Sequence, residues 1–236
     1  MASGSGHRER AIGSTHRSDC DHGGVQSTHR HPLFARLYPR ISHTAEQRGG
    51  AEHRRALLEG LQGRVVEIGA GHGVNFAYYP QGVTHVLAVE PEPHLFALAQ
   101  RASESSPVPV QVTRATAEAL PVEDGGFDAA VVSLVLCTVA DQSAALREIR
   151  RVLAPAGELR FYEHVVSERP AAARIQRALD ATIYPPLAGG CRCARDTRAA
   201  IRSSGFAIER EERFSFKLSP VVPAIPHILG MARAPG

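Results

Sequence analysis

The sequence predicts a doubly wound α/β fold, a mostly parallel sheet with helices on both faces. Three observations carry that expectation. Helical and strand periodicities alternate from residue 32 to the end of the chain. Most strand candidates are near-continuous apolar runs, as in strands covered on both faces, rather than alternating ones. The first of these runs, Arg64-Val65-Val66-Glu67-Ile68, ends in Gly69-Ala70-Gly71-His72-Gly73. Such a glycine turn lets backbone approach a ligand closely, because no Cβ stands in the way.

The elements follow in order. Phe34, Leu37, Tyr38 and Ile41 stand at helical spacing over residues 34–42, and Leu57, Leu58 and Leu61 repeat the pattern over 52–61. Residues 65–69 form the first strand, 85–89 the second, 108–113 the third and 127–135 the fourth. A helix after the glycine turn would offer its free N–H groups to an anion. Asp141 caps a helix running to residue 153, with Ala145, Leu146, Ile149, Val152 and Leu153 on its apolar face. Ala154-Pro155-Ala156-Gly157 stops it. A fifth strand covers 159–166, a less regular stretch reaches Arg195, and a helix runs to Ser203. Strands near 206–216 and 228–232 bring the count to seven. There are no repeats, and residues 32–236 read as one domain.

Residues 1–31 differ from the rest. They hold no aromatic residue, are rich in Gly and Ser, and carry five of the twelve histidines: His7, His16, His22, His29 and His31. Such a segment has too little apolar surface to offset its ordering entropy, so it reads as a disordered tail. A metal-binding histidine tail is the other reading, and the spacings fit no ligand pattern.

Composition narrows the function classes. The net charge is +3 over 236 residues, it comes from scattered arginines, and Lys217 is the single lysine. With no basic block, nothing points to nucleic acid. No apolar run approaches the roughly 18 residues of a membrane span. The first 30 residues lack the apolar segment of a signal peptide. Four cysteines (Cys20, Cys137, Cys191 and Cys193) suggest a reducing compartment, so a cytoplasmic protein is expected. Cys191-x-Cys193 is one Cys-x-Cys without a matching pair, and no metal site is expected from it.

Ligands of such sheets sit beyond the carboxyl ends of the strands, where the strand order reverses. Each remaining motif falls at one of those ends. Gly69, Gly71 and Gly73 follow strand one. Glu90, 21 residues after Gly69 and just before Pro91, ends strand two, where an acid can accept hydrogen bonds from both hydroxyls of a ribose. Ala117 and Glu118 follow strand three, Ser133 and Leu134 close strand four, and Glu163 and His164 close strand five.

Glu67 distinguishes this glycine turn from that of nicotinamide and flavin folds, which use Gly-x-Gly-x-x-Gly. Glu67-x-Gly69-x-Gly71-x-Gly73 resembles motif I of the class I S-adenosylmethionine-dependent methyltransferases, which have a seven-stranded Rossmann-like sheet. The segments Asn75-Phe76-Ala77-Tyr78-Tyr79-Pro80, Glu90-Pro91-Glu92-Pro93-His94, Leu134-Val135-Leu136-Cys137-Thr138-Val139, Glu163-His164-Val165, Gly190-Cys191 and Pro226-His227-Ile228-Leu229-Gly230 extend the likeness. In that order they resemble the methyltransferase-like seven family, whose animal members are alkyl-thiol S-methyltransferases. Three features differ. The animal enzymes begin with a hydrophobic membrane anchor, carry aspartate where Glu90 stands, and family members often have an acid at the place of Thr116.

The resemblance implies S-adenosylmethionine as cofactor and a small-molecule methyl acceptor. It implies a cofactor site of Glu67, Gly69, Ala70, Gly71, Gly73, Asn75, Glu90, Pro91, Ala117, Glu118, Ser133 and Leu134. The Ala117 segment would border adenine, and a backbone carbonyl at Ser133-Leu134 would meet the amino acid end. An alkyl thiol, with a pKa near 8.5, needs only modest help to deprotonate. His164 beside Glu163 is the candidate base. Cys137 would line the acceptor pocket or serve as a small buried apolar residue, and His227 reads as structural. Two other classes compete: a nicotinamide oxidoreductase, disfavoured by the glycine spacing, and a protein that binds the cofactor without turnover.

Overall fold

The computed structural model describes residues 31–218 and 223–236. The expected tail therefore lies outside the described residues except for His31, whose carbonyl accepts the Ala35 N–H at the start of the first helix.

Seven strands form one sheet in the order β3-β2-β1-β4-β5-β7-β6. They are β1 (Gly63–Ile68), β2 (Val83–Val89), β3 (Val110–Thr113), β4 (Phe127–Ser133), β5 (Leu153–His164), β6 (Ala207–Phe216) and β7 (Ile225–Arg233). The pairs from β3 through β5 are parallel, and β7 runs antiparallel to β5 and to β6. The expected mostly parallel, seven-stranded sheet is thus present. Its order reverses between β1 and β4, which leaves a crevice there.

Alternate residues of the central strands serve opposite faces. Val66, Ile68, Val132, Leu159 and Phe161 pack with Leu146 and Ile149 of α4 (Gln142–Val152) and Ile201 of α7 (Thr197–Ser203). Val65, Val86 and Val131 pack with Leu57 and Leu58 of α2 (Ala51–Leu58) and Ala99 of α3 (Pro93–Ser103). Burial on both faces is why these strands lack polar alternation. Asp141 caps α4 as expected, its carboxylate accepting the Ser143 and Ala144 N–H groups.

Several elements depart from the expectation. No α-helix follows the glycine turn; Val74–Tyr78 is a short 3₁₀ helix, cut off before Pro80, so it offers no long helix N-terminus to an anion. The stretch read as irregular contains α5 (Pro170–Asp180) and a single turn, α6 (Tyr184–Leu187). In α5 Ala171, Ile175 and Leu179 stand four residues apart, a helical signal the sequence reading passed over, yet only Ala173 is buried and Ile175 and Leu179 are exposed. The Pro-Ala-Gly segment that ends α4 already belongs to β5, with Ala156 in the left-handed region at φ 59°. Strand β4 stops at Ser133, because Leu134 turns to φ 61°. The first helix, α1 (Pro32–Ala45), meets α2 through a kink at Glu46–Gly50, where Gly49 has φ 108°.

Candidate functional site

A cavity of about 380 Å³ opens over the carboxyl ends of the parallel strands. Each strand end delivers residues to it: Gly69 and Gly71 after β1, Glu90 and Pro91 after β2, Ala117 and Glu118 after β3, Ser133 and Leu134 after β4, and His164 at the end of β5. Because β7 is antiparallel, its first residues, Ile225 and His227, reach the same edge, with His227 in register with His164. Tyr38 of α1 and Tyr184 of α6 complete the walls.

The glycine turn is held from below. The N–H groups of Gly69 and Ala70 both donate to the Val89 carbonyl, at 2.8 and 3.0 Å. Gly69, Gly71 and Gly73 have φ of 67°, 60° and 83°, the region that glycine adopts without steric penalty. At Gly71 a Cβ would come within 3.2 Å of Tyr38 Cε1, so the side chain it lacks keeps the cavity wall open. Glu90 faces this turn. Its Oε2 accepts the Gly71 N–H and its Oε1 the Glu92 N–H, each at 2.8 Å. Each oxygen keeps a further lone pair, matched to two neighbouring hydroxyls. Burial pushes the Glu90 pKa up to about 7, against the pull of the two N–H groups.

Four residues of the expected cofactor set stand behind the cavity wall: Glu67, Ala70, Gly73 and Asn75. Glu67 accepts from Asn75 Nδ2 and from the Tyr79 hydroxyl, both at 2.8 Å. Burial raises its pKa to about 7. A Cβ on Gly73 would strike Phe76 and Ala102, so that glycine answers to packing. Glu67 and Asn75 reach the site indirectly, through a residue the sequence reading missed. Arg54 donates from Nη1 to Asn75 Oδ1 at 2.7 Å and to Ser133 Oγ at 3.1 Å, and from Nε to Glu46 Oε1 at 2.7 Å. The Tyr78 hydroxyl donates to the other Glu46 oxygen. Arg54 lines the cavity beside Tyr38, and none of these three bonds uses its Nη2. A buried guanidinium edge at a cavity fits a carboxylate. A signal existed: Arg54 stands three, four and seven residues before Leu57, Leu58 and Leu61, on the apolar stripe.

Glu163, near the end of β5, does not reach the cavity. Its buried carboxylate accepts the N–H groups of Val135 and Leu136 at 2.8 Å and of Cys137 at 3.2 Å. That fixes the turn that begins at Leu134, whose left-handed backbone is a strained choice for a leucine. Glu163 is therefore placed as a positioning residue, not as the helper of a base. His164 does line the cavity. Its Nδ1 lies 3.2 Å from Cys191 Sγ and 3.6 Å from Cys137 Sγ, and its ring sits 4.4 Å from that of His227. Burial, then the neighbouring His227, hold its pKa well below the usual histidine range. An uncharged, weakly basic ring whose Nδ1 faces two sulfurs is poorly matched to deprotonating a thiol.

Comparison with known proteins gives the site a context. A family model described as "Methyltransferase domain" matches residues 66–161, the span from β1 to β5. Human thiol S-methyltransferase TMT1B is 32% identical over 180 residues, covering 74% of this chain and 73% of its own. Human thiol S-methyltransferase TMT1A is 32% identical over 194 residues, covering 77% and 78%. Among solved structures, an S-adenosylmethionine-dependent methyltransferase of Thermotoga maritima, described as a possible histamine N-methyltransferase, superposes with a TM-score of 0.63. It is 22% identical and covers 86% of this chain and 98% of its own, a likeness of fold.

Proposed function

Because the chain belongs to the S-adenosylmethionine-dependent methyltransferases, in the family that holds the animal thiol S-methyltransferases, we propose that its methyl acceptor is a small alkyl thiol. The protein is an S-adenosylmethionine-dependent enzyme that methylates a small molecule; the thiol is the finer reading. One observation carries it. Where the cavity passes beneath β5 and β7, its lining is Cys137, His164, Tyr184, Cys191, Phe216, Ile225 and His227, with no charged side chain among the described residues. Both histidines are uncharged at neutral pH, since burial lowers His227 to about 4 and His164 well below its usual range. An ammonium or carboxylate would shed its water there without an opposite charge, whereas a thiol loses little.

Of the charged groups, Glu90, Glu92 and Glu118 lie at the other end, after β2 and β3, and the Arg54–Glu46 pair stands between the two ends, at Ser133 after β4. We assign the cofactor to the Glu90 end. Glu90 would receive the ribose hydroxyls, Ala117 and Glu118 would border the adenine, and Gly69, Gly71, Pro91, Ser133 and Leu134 would supply the floor. Arg54 would meet the methionine carboxylate through Nη2. Glu67, Ala70, Gly73 and Asn75 would support this arrangement from behind. When bound, the cofactor supplies an electrophilic methyl group on a sulfonium. The protein's part is to align it with the acceptor and to exclude water.

Residues Cys137, Cys191 and Cys193 are free thiols, which supports a reducing, cytoplasmic setting. No helix among the described residues is long and apolar enough to cross a membrane.

The test is an acceptor panel of alkyl thiols, amines, carboxylates and phenols, read as S-adenosylhomocysteine formed. Turnover with alkyl thiols and little with the ionised classes is expected. Turnover with amines or carboxylates, and none with thiols, would overturn the thiol reading.

A further inference from the structure

Four residues with soft or borderline ligand atoms come from three separate segments and converge at the acceptor end of the cavity. Cys137 lies in the turn after β4, His164 at the end of β5, and Cys191 and Cys193 in the loop between α6 and α7. His164 Nδ1 is 3.6 Å from Cys137 Sγ and 3.2 Å from Cys191 Sγ, and all three ligand atoms lie within 4.8 Å of one another. Tetrahedral zinc, with bonds of about 2.3 Å to sulfur and about 2.0–2.1 Å to nitrogen, separates its ligands by roughly 3.6 Å (S to N) and roughly 3.8 Å (S to S). The observed nitrogen-to-sulfur separations of 3.2 and 3.6 Å lie within about 0.4 Å of that geometry.

The surroundings hold the ligands in place. The three N–H bonds to Glu163 fix the Cys137 turn. The Arg192 N–H donates to the Cys137 carbonyl at 2.8 Å, which ties the Cys191 loop to that turn. Asp180 accepts the Cys193 and Ala194 N–H groups and anchors the far side of the loop. Cys137 and Cys191 are buried, yet Cys137, His164 and Cys191 all border the cavity. Cys193, 3.9 Å from Cys191, does not.

We propose that Cys137, His164 and Cys191 bind one zinc ion, with the fourth position open to the cavity for the sulfur of the acceptor thiol. The isolated Cys191-x-Cys193 gave no metal site because its partners lie 27 residues apart in successive steps, Cys137 to His164 to Cys191. Two thiolates, one imidazole and an open position make the ligand set of a catalytic rather than a closed structural zinc. An entering thiol loses its proton to bulk water as its sulfur binds the ion, and so stands as a thiolate beside the cofactor end without a protein base. This role rests on the thiol reading above; the metal site itself does not.

The test uses the full chain, purified under reducing conditions, stripped with a chelator and titrated with cobalt(II) in place of zinc. One equivalent should bind, with the intense near-ultraviolet sulfur-to-cobalt band and strong visible bands of a tetrahedral site, and zinc should bleach both. Cys137→Ser and Cys191→Ser should each weaken cobalt more than the roughly 10- to 100-fold typical of losing an outer-shell partner. Cys193→Ser should keep the stoichiometry and the spectrum. Adding a small alkyl thiol without cofactor should strengthen the charge-transfer band as another sulfur joins.

Absence of a stoichiometric tetrahedral spectrum overturns the site. So does a spectrum that survives Cys137→Ser and Cys191→Ser but vanishes with Cys193→Ser. A normal cobalt spectrum unmoved by thiol overturns the open position. A protein that binds cobalt but fails to methylate thiols in the panel loses only the thiol reading. One that methylates thiols while binding no cobalt loses only the metal.

Discussion

Glu90 Oε2 accepts the Gly71 N–H at 2.8 Å, so the acid at the end of β2 and the glycine turn after β1 form one unit. In the proposed site the same carboxylate would receive the ribose and also sets the Gly71 backbone beside it. Glu90→Ala removes both functions. With two charge-assisted bonds at roughly 1.5–3 kcal/mol each in question, the Kd for S-adenosylmethionine should rise tenfold or more. Calorimetric titration checks it, and a change under about twofold would place the ribose elsewhere.

The Glu90 pKa of about 7 adds a pH dependence. The ionised carboxylate can accept two N–H and two O–H bonds; the protonated form gives up part of that capacity. Cofactor affinity should therefore be fully present above about 7 and fall as the pH drops through that value. Glu90→Gln, which cannot ionise, should bind more weakly and lose this step. Titrations between about pH 6 and about pH 8 on both proteins make the comparison.

Gly71→Val tests the turn itself. A β-branched side chain at φ 60° meets a left-handed backbone penalty of roughly 1–2 kcal/mol, and its Cβ would press on Tyr38 Cε1. Cofactor binding should be lost, while circular dichroism still reports a folded protein. Gly71→Ala should show the same effect in weaker form. Undiminished affinity in a folded Gly71→Val protein would remove the turn from the cofactor site.

Arg54 is the buried hub between Glu46, Asn75 and Ser133. Arg54→Met strands the Glu46 carboxylate, which is itself mostly buried, at a cost of about 3–5 kcal/mol. For a chain of this size each kcal/mol lowers Tm by roughly 2–4 °C, so a fall of roughly 6–20 °C is expected. Adding Glu46→Gln should recover part of that loss. Thermal melts of the single and double variants decide the matter, and an unshifted Tm would show the network to be dispensable.

The parts of the fold that were legible in the sequence are those whose burial is dictated by local pattern. Val65, Val66 and Ile68 announce a two-faced strand, Asp141 a helix start, and the three glycines a turn. Helix α5 was missed although Ala171, Ile175 and Leu179 stand four residues apart; in the fold Ile175 and Leu179 stay exposed and only Ala173 is buried. At the site, the strand ends that carry Glu90, Ser133 and His164 were readable from order alone. The divisions within those ends were not. Glu163 and His164 are neighbours in sequence, yet strand alternation sends one to backbone N–H groups and the other to the cavity. Arg54 escaped notice because two of its three partners, Asn75 and Ser133, stand 21 and 79 residues away. Only the folded chain brings them together.

Glu163 supplies the last test, since it acts on the cavity without touching it. Its Oε1 accepts two N–H groups and its Oε2 a third, from Cys137. In Glu163→Gln the amide oxygen can keep the first two, but the amide NH₂ then faces the Cys137 N–H, donor against donor. One charge-assisted bond worth roughly 1.5–3 kcal/mol is lost. A fall in Tm of roughly 3–12 °C should follow. Destabilisation alone would not establish a positioning role, so a control is needed. Leu61→Ala leaves a cavity in the core just before β1, at the strand ends opposite the turn, at a cost of about 2–5 kcal/mol. If Glu163 merely stabilises the fold, the two variants should share a lowered Tm and an unchanged Kd for S-adenosylmethionine. If it holds Leu134 in its left-handed turn, Glu163→Gln alone should weaken the cofactor, because the backbone at Leu134 is free to relax from φ 61°. Equal cofactor affinity in both variants would reduce Glu163 to a structural residue.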